Sequence, residues 1–223
     1  MSFEAVASIV AGGLITILIT IAVEALRRPK LRLAIADASD NSYGSGRPAI
    51  AARFLYVHLI NEPLPWFARW MSRSAALQCA GSITFYCLED GQRFFVAPMP
   101  VRFSETPEPV PMRFELDGAS VAFLDPSRAT AESRIDVYPG ERTRLDVAAK
   151  FDSEDEAYGW SNLNYFSDPP WRSREWKLPR GRYLVAISIT SSGQKCEGIF
   201  RLLNDAGPRD FRLEPPQSGD RLT

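Results

Sequence analysis

The chain has 223 residues, 45% hydrophobic and 24% charged, and its 26 basic and 27 acidic side chains leave a net charge of −1. This is the balance of an ordinary folded protein, and it lacks the basic surplus of a general nucleic-acid binder, so nucleic acid is excluded as a partner. Seventeen prolines and fourteen glycines, scattered rather than clustered, suit a fold of many strands and turns.

The chain opens on an apolar run, residues 5–26 (AVASIVAGGLITILITIAVEAL), in which Glu24 is the only charge. As a helix it reaches roughly 33 Å, enough for a hydrocarbon core of about 30 Å, with every backbone polar group satisfied internally. Ala5, Leu14, Ile17, Ile21 and Leu26 mark its apolar surface, and Thr16 and Thr20 can bond back to carbonyls one turn earlier. A cleaved signal would need a basic n-region, a shorter core and small residues at its end, whereas Met1–Glu4 carry no Lys or Arg and Glu24 stands near the end. The run therefore predicts a retained transmembrane anchor. Arg27, Arg28, Lys30 and Arg32 follow it, so the positive-inside bias places the following domain in the cytoplasm and pins the helix end to lipid headgroups. Ala7/Ala11 and Ser8/Gly12 are small residues four apart, a spacing that lets two such helices approach and form a homo-oligomer.

Beyond the anchor (residues 1–30), residues 31–203 are expected to form one domain and 204–223 a polar, Pro-rich, poorly ordered tail. Leu31–Asp37 alternates as a first strand, residues 38–48 form a turn-rich loop, and Arg53–Asn61 is apolar on both faces, as a central strand would be. Pro65 is placed to open a short helix in which Trp66 and Trp70, and Phe67 and Met71, stack four apart beside Arg69 and Arg73. That element is expected to be a lid over one end of the domain, with the membrane interface as the alternative.

Leu77–Leu88 is the next strand, Glu89-Asp90-Gly91-Gln92 a hairpin turn, and Arg93–Ala97 its return strand. Residues 98–112 hold five prolines and must run extended as an edge-covering loop. Arg113–Leu116 and Ser120–Leu124 are short strands. Arg134–Tyr138, a Pro139-Gly140 turn and Arg142–Phe151 read as a hairpin whose second strand is half-buried, with Thr143, Leu145, Val147 and Ala149 on one face. An acidic and aromatic insertion at 152–177 follows, carrying Trp160, Tyr165, Phe166, Trp171 and Trp176. Leu178–Thr190 and Lys195–Leu203 form the last hairpin.

The segments VYPGERTRLDVAAKF and LPRGRYLVAISITSSGQKCEGIFRLL resemble late strands of immunoglobulin-like and related prokaryotic β-sandwich domains, although the immunoglobulin Cys…Trp…Cys arrangement is absent. The resemblance implies an all-β, immunoglobulin-like β-sandwich behind one N-terminal transmembrane α-helix, and an adhesive, docking or accessory role.

No constellation for catalysis stands out. His58, the only histidine, lies in an apolar strand with Phe54, Tyr56 and Ile60 and reads as structural. Cys79, Cys87 and Cys196 lack the close pairs of a zinc site; Cys79 and Cys87 share a strand roughly 26 Å apart, so free buried thiols are expected. Asp152, Glu154, Asp155 and Glu156 lack the interleaved spacing of a calcium loop. The expectation is a non-catalytic protein without metal or cofactor, an accessory or scaffold module contacting membrane lipid and a protein partner in the same membrane. The aromatic insertion reads first as core that holds a long loop down and next as a partner interface; as a contact surface it is the first candidate, and Trp66/Trp70 the second. The alternative is an extracytoplasmic, membrane-anchored binding or adhesion module, with an enzyme third.

Overall fold

The structure, a computed structural model, describes residues 3–43, 50–109, 112–116, 119–123, 133–152, 154–169, 171–205 and 210–220. Side chains are outside that description at 3–10, 42–43, 50 and 112–123. A helix, α1 (Phe3–Arg27), precedes fifteen strands among the described residues. Thr16 and Thr20 do bond back, to Gly12 O and Thr16 O at 2.9 Å each. Among the described residues no helix is long and apolar enough to cross a membrane. The anchor residue Ala5 and the small pairs' Ala7 and Ser8 lie outside the described side chains.

Two antiparallel sheets form the domain. The first runs β1 (Leu31–Ile35), β3 (Ile50–Asn61), β10 (Arg142–Phe151), β11 (Ala157–Gly159) and β12 (Lys177–Leu178), with β2 (Ser39–Tyr43) on β3 and β6 (Arg102–Phe103) on β10. The second runs β15 (Phe211–Glu214), β14 (Gln194–Asn204), β13 (Gly181–Ser191), β4 (Ala76–Cys87) and β5 (Met99–Pro100), with β9 (Ile135–Val137) on β4. β7 (Met112–Leu116) and β8 (Ala119–Phe123) form a separate hairpin, as expected. Leu55, Val57, Leu59, Leu145 and Val147 of the first sheet meet Ile83, Phe85, Val185, Ile187 and Leu202 of the second in one core.

β3 is apolar on both faces because both are covered. Phe54 and Tyr56 point away from that core and join Ala149, Phe151, Tyr158 and Trp160 in a second cluster. The 152–177 insertion folds back over this outer face of the first sheet.

Several expectations are corrected. The alternation of β10 breaks at a bulge: Asp146 faces Tyr56 and Ala148 faces Leu55, leaving Val147 as the extra residue. The strand is consequently buried from Leu145 to Phe151 rather than half-buried. Pro139-Gly140 is no hairpin, because β9 pairs in the second sheet and β10 in the first, so the turn crosses between them. No return strand forms at 93–97 beyond a single bridge, Tyr86 to Arg93. Adjacent Phe94 and Phe95 both turn inward, onto Tyr183 and onto Phe85 and Trp176, which a period-two strand forbids. Met99–Pro100 pairs with β4 instead, and the Pro-rich segment then carries Arg102–Phe103 to the first sheet. Residues 39–43 of the first loop pair with β3 as β2. The tail is not wholly loose: Phe211 and Leu213 alternate into the core from β15.

Tyr183 in this core donates from its hydroxyl to Pro179 O at 2.8 Å. Burial, then the neighbouring Cys87 thiol, pushes its pKa up to about 12. The unfolded value is about 10, so the folded state holds this proton longer, and its contribution to stability is full below about pH 10 and lost as pH rises toward 12. Burial pushes Tyr158 in the same direction. Thermal melting across that window should show Tm falling, with a shallower fall in Tyr183→Phe; a flat Tm through the window would contradict this assignment.

Candidate functional site

The junction between helix and domain is closed by a buried polar side chain. β3 ends in Asn61, which is fully buried. Its Oδ1 accepts from Lys30 N at 3.2 Å, and its Nδ2 donates to Ser74 O and Val137 O, both at 3.1 Å. Its backbone N–H donates to Glu141 O, and its carbonyl accepts from Gly140 N at 2.7 Å. One side chain and one peptide thus tie the exit of α1, the loop 62–75, the end of β9 and the crossing turn.

The helix end is held by the same loop. Arg27 O accepts from Ser74 N at 2.7 Å, and Arg28 O accepts from the Arg73 guanidinium at 2.8 Å. These two bonds satisfy carbonyls that a helix C-terminus otherwise leaves to solvent. Lys30 and Arg32 both pair with Glu62, at 2.8 and 3.0 Å, and the Lys30 hydrogen bond chiefly holds that carboxyl below its usual range.

Within that loop Pro65 precedes a single 3-10 turn, Trp66–Ala68, shorter than the helix expected. Leu64 and Ala68 are buried, whereas Trp66 and Trp70 are each 80% exposed and Phe67 58%. The element is therefore no lid. Trp66 and Phe67 meet edge to face at 6.0 Å, and the expected Trp66/Trp70 stack is not among the described ring contacts.

The aromatic insertion behaves in the opposite way. Trp160 and Trp176 are 2% exposed and are core residues rather than a contact surface. Trp160 stands edge-on to Phe54 at 4.9 Å, and Trp176 edge-on to Phe95 at 5.2 Å. Tyr165, Phe166 and Trp171 are half-buried. The acidic stretch is spent on cations: Glu154 pairs with Arg172 and accepts from Tyr158 Oη, and Glu156 pairs with Lys177 at 2.7 Å. β10 runs from Arg142, opposite Ile60 beside Asn61, to Phe151, opposite Ala52, which places the insertion toward the far end from the helix, roughly 30 Å away.

His58 faces Arg144 across the pair and lines an open groove of about 350 Å³ with Ala36, Asp37, Glu105 and Arg142. Burial, then Arg142 and Arg144, lowers its pKa, so the ring is neutral at pH 7, and its Nδ1 has no hydrogen-bond partner. Among the described residues no serine or cysteine lines the groove to serve as a nucleophile. The three cysteines are free, and burial raises each thiol pKa, which suppresses the thiolate form. Among the described residues no group of acidic, histidine and cysteine side chains is placed to hold a metal.

A buried pair, Arg102 and Asp146, joins β6 to β10, and Ser104 Oγ donates to the second carboxylate oxygen at 2.6 Å. The Arg102 guanidinium also lies 5.4 Å from the Tyr165 ring centroid, linking the pair to the insertion. Burial drives the Asp146 pKa upward while Arg102 and Ser104 pull it back. This is framework chemistry: a buried charge is tolerable only with its partner in place.

Comparison with protein-family models, curated proteins and solved structures found no match for the chain.

Sequence reasoning passed over Asn61. The available signal was an amide ending an otherwise apolar central strand, where a polar side chain needs partners to be buried. Replacing it by Ala leaves Lys30 N–H and two carbonyls unsatisfied, a cost of about 2–4 kcal/mol. Scanning calorimetry of Asn61→Ala should show Tm lower by roughly 5–15 °C; an unchanged Tm would show that Asn61 does not hold the junction.

Proposed function

We propose that the protein is a membrane-anchored, non-catalytic accessory or scaffold module, in which α1 is a single transmembrane span and the β-domain stands on the cytoplasmic side. The observation that carries this reading is an apolar helix whose described leucines and isoleucines stand exposed. Leu14, Ile15, Ile17, Leu18, Ile19 and Ile21 are 57–65% exposed, and neither Gly12 nor Gly13 has a neighbouring group within 4 Å of where a Cβ would stand. Each such side chain left in water forgoes about 1.5–3 kcal/mol relative to burial, and a bilayer supplies that burial. The backbone of α1 runs 25 residues, about 37 Å at 1.5 Å per residue, which suffices to span.

The cytoplasmic side rests on the basic flank. Arg27, Arg28, Lys30 and Arg32 lie on one side only, and their pairing with Glu24 and Glu62 does not alter a bias set by Lys and Arg. Free thiols agree with that compartment. The immunoglobulin-like assignment stays part of the proposal, supported by two antiparallel sheets sharing a core and by the β13–β14 hairpin. A protein partner in the same membrane, through Ala11 and Gly12 on the open helix face, completes it.

Full-length protein in native membranes should resist alkaline carbonate extraction, and its domain should survive protease added outside sealed cells. Release by carbonate would overturn the anchor. Digestion from outside would reverse the orientation in favour of an extracytoplasmic binding module.

A further inference from the structure

We infer that the Trp66–Trp70 turn is a second membrane contact, an interfacial foot that inserts among anionic headgroups beside the anchor and fixes how the domain stands on the bilayer. The inference rests on the anchor proposed above and adds to it a site, its residues and its lipid chemistry.

Its first support is where the exposed apolar surface lies. Among the described residues outside α1, the exposed large apolar side chains are Trp66, Phe67, Trp70, Leu77, Tyr138 and Val96. All but Val96 belong to the end of the domain from which the helix leaves. Leu77 follows Ala76, which pairs with Val137, and Tyr138 opens the turn whose Gly140 N–H donates to Asn61 O. A soluble domain scatters such residues singly; a concentration of aromatics at one end marks a contact surface.

Its second support is distance. Ser74 N lies 2.7 Å from Arg27 O, at the last turn of α1. Trp70 is four residues before Ser74, so its Cα falls within about 15 Å of that turn even with the chain fully extended. Headgroups occupy roughly 5–8 Å on each side of the hydrocarbon, a layer within reach of this turn when α1 spans. Trp is the side chain that partitions there, with an apolar ring and one N–H for the headgroup region.

Its third support is charge. Arg69 is exposed within the turn, and Arg28 is exposed at the helix end, where its carbonyl accepts from Arg73. Neither Arg28 nor Arg69 makes an ion pair among the described residues. Guanidiniums at the helix end and within the exposed aromatic turn match an anionic headgroup layer, where a basic residue is attracted and an aromatic one inserts. Arg73, by contrast, is committed to the Arg28 carbonyl and fastens the foot to the helix.

The test uses full-length protein in nanodiscs of phosphatidylcholine with phosphatidylserine, in which the acyl chains carry bromine either near the headgroup or near the chain end. The chain has five tryptophans, and Trp160 and Trp176 are shielded in the core. Shallow bromine should remove up to about two-fifths of the emission, in proportion to Trp66 and Trp70, and deep bromine should remove much less. The double variant Trp66→Phe, Trp70→Phe, which keeps the bulk, should lose that shallow quenching. If the protein stays in the disc and its emission is indifferent to shallow bromine, or the double variant is quenched as strongly, the foot is wrong while the anchor stands; the patch would then belong against a protein. If the protein does not stay in the disc, the anchor fails and the foot with it.

Discussion

The buried carboxamide of Asn61 is the constraint on which the rest of this arrangement depends. A polar side chain at zero exposure is tolerable only when its donors and acceptor are met, and Asn61 meets them with three segments: the exit of α1, the loop that leads into β4, and the end of β9. Lys30 N–H is the first donor after the helix, Ser74 O belongs to the loop that caps the helix, and Val137 O ends β9 in the opposite sheet. Substituting an apolar residue would fill the space and leave all three segments unsatisfied. The same side chain therefore couples the two sheets and sets where α1 emerges.

From that clamp the two ends of the domain acquire different characters. At the near end the loop 62–75 commits Leu64 and Ala68 inward, Arg73 and Ser74 to the helix carbonyls, and Trp66, Phe67 and Trp70 outward. At the far end the 152–177 insertion commits Trp160 and Trp176 inward, and its acidic side chains to Arg172 and Lys177. Both stretches are rich in aromatic residues, and composition alone does not distinguish them. What separates them is the surface available: the outer face of β3 and β10 presents Phe54, Tyr56 and Phe151 to the insertion, while Trp66, Phe67 and Trp70 stay exposed.

Much of the architecture was legible in the residues. The apolar run that becomes α1, the two-faced apolarity of β3 and the alternation of β13 and β14 each follow from periodicity. The illegible parts have physical causes. The bulge at Val147 shifts β10 by one residue, so a face pattern read from Thr143 onward inverts beyond it. The Pro139-Gly140 turn has the chemistry of a hairpin yet joins strands of different sheets, a choice made by the core rather than the turn. Phe211 and Leu213 are two apolar residues in a polar tail, and only the open edge of β14 makes them a strand. For the candidate site, Trp160 and Trp176 are core, one of the two readings the insertion allowed, while Trp66 and Trp70 are exposed, because burial of an indole depends on which face the fold leaves uncovered.

The central claim is that the domain is stapled to the end of α1 and rests on the bilayer without a flexible gap. Specular neutron reflectometry of full-length protein in a supported anionic bilayer measures this directly. The expected profile is a protein layer that begins at the headgroups and extends about 30–40 Å, the length of β10 with its end loops. A water-rich gap of more than about 10 Å between headgroups and protein, several residues of extended chain, would contradict it.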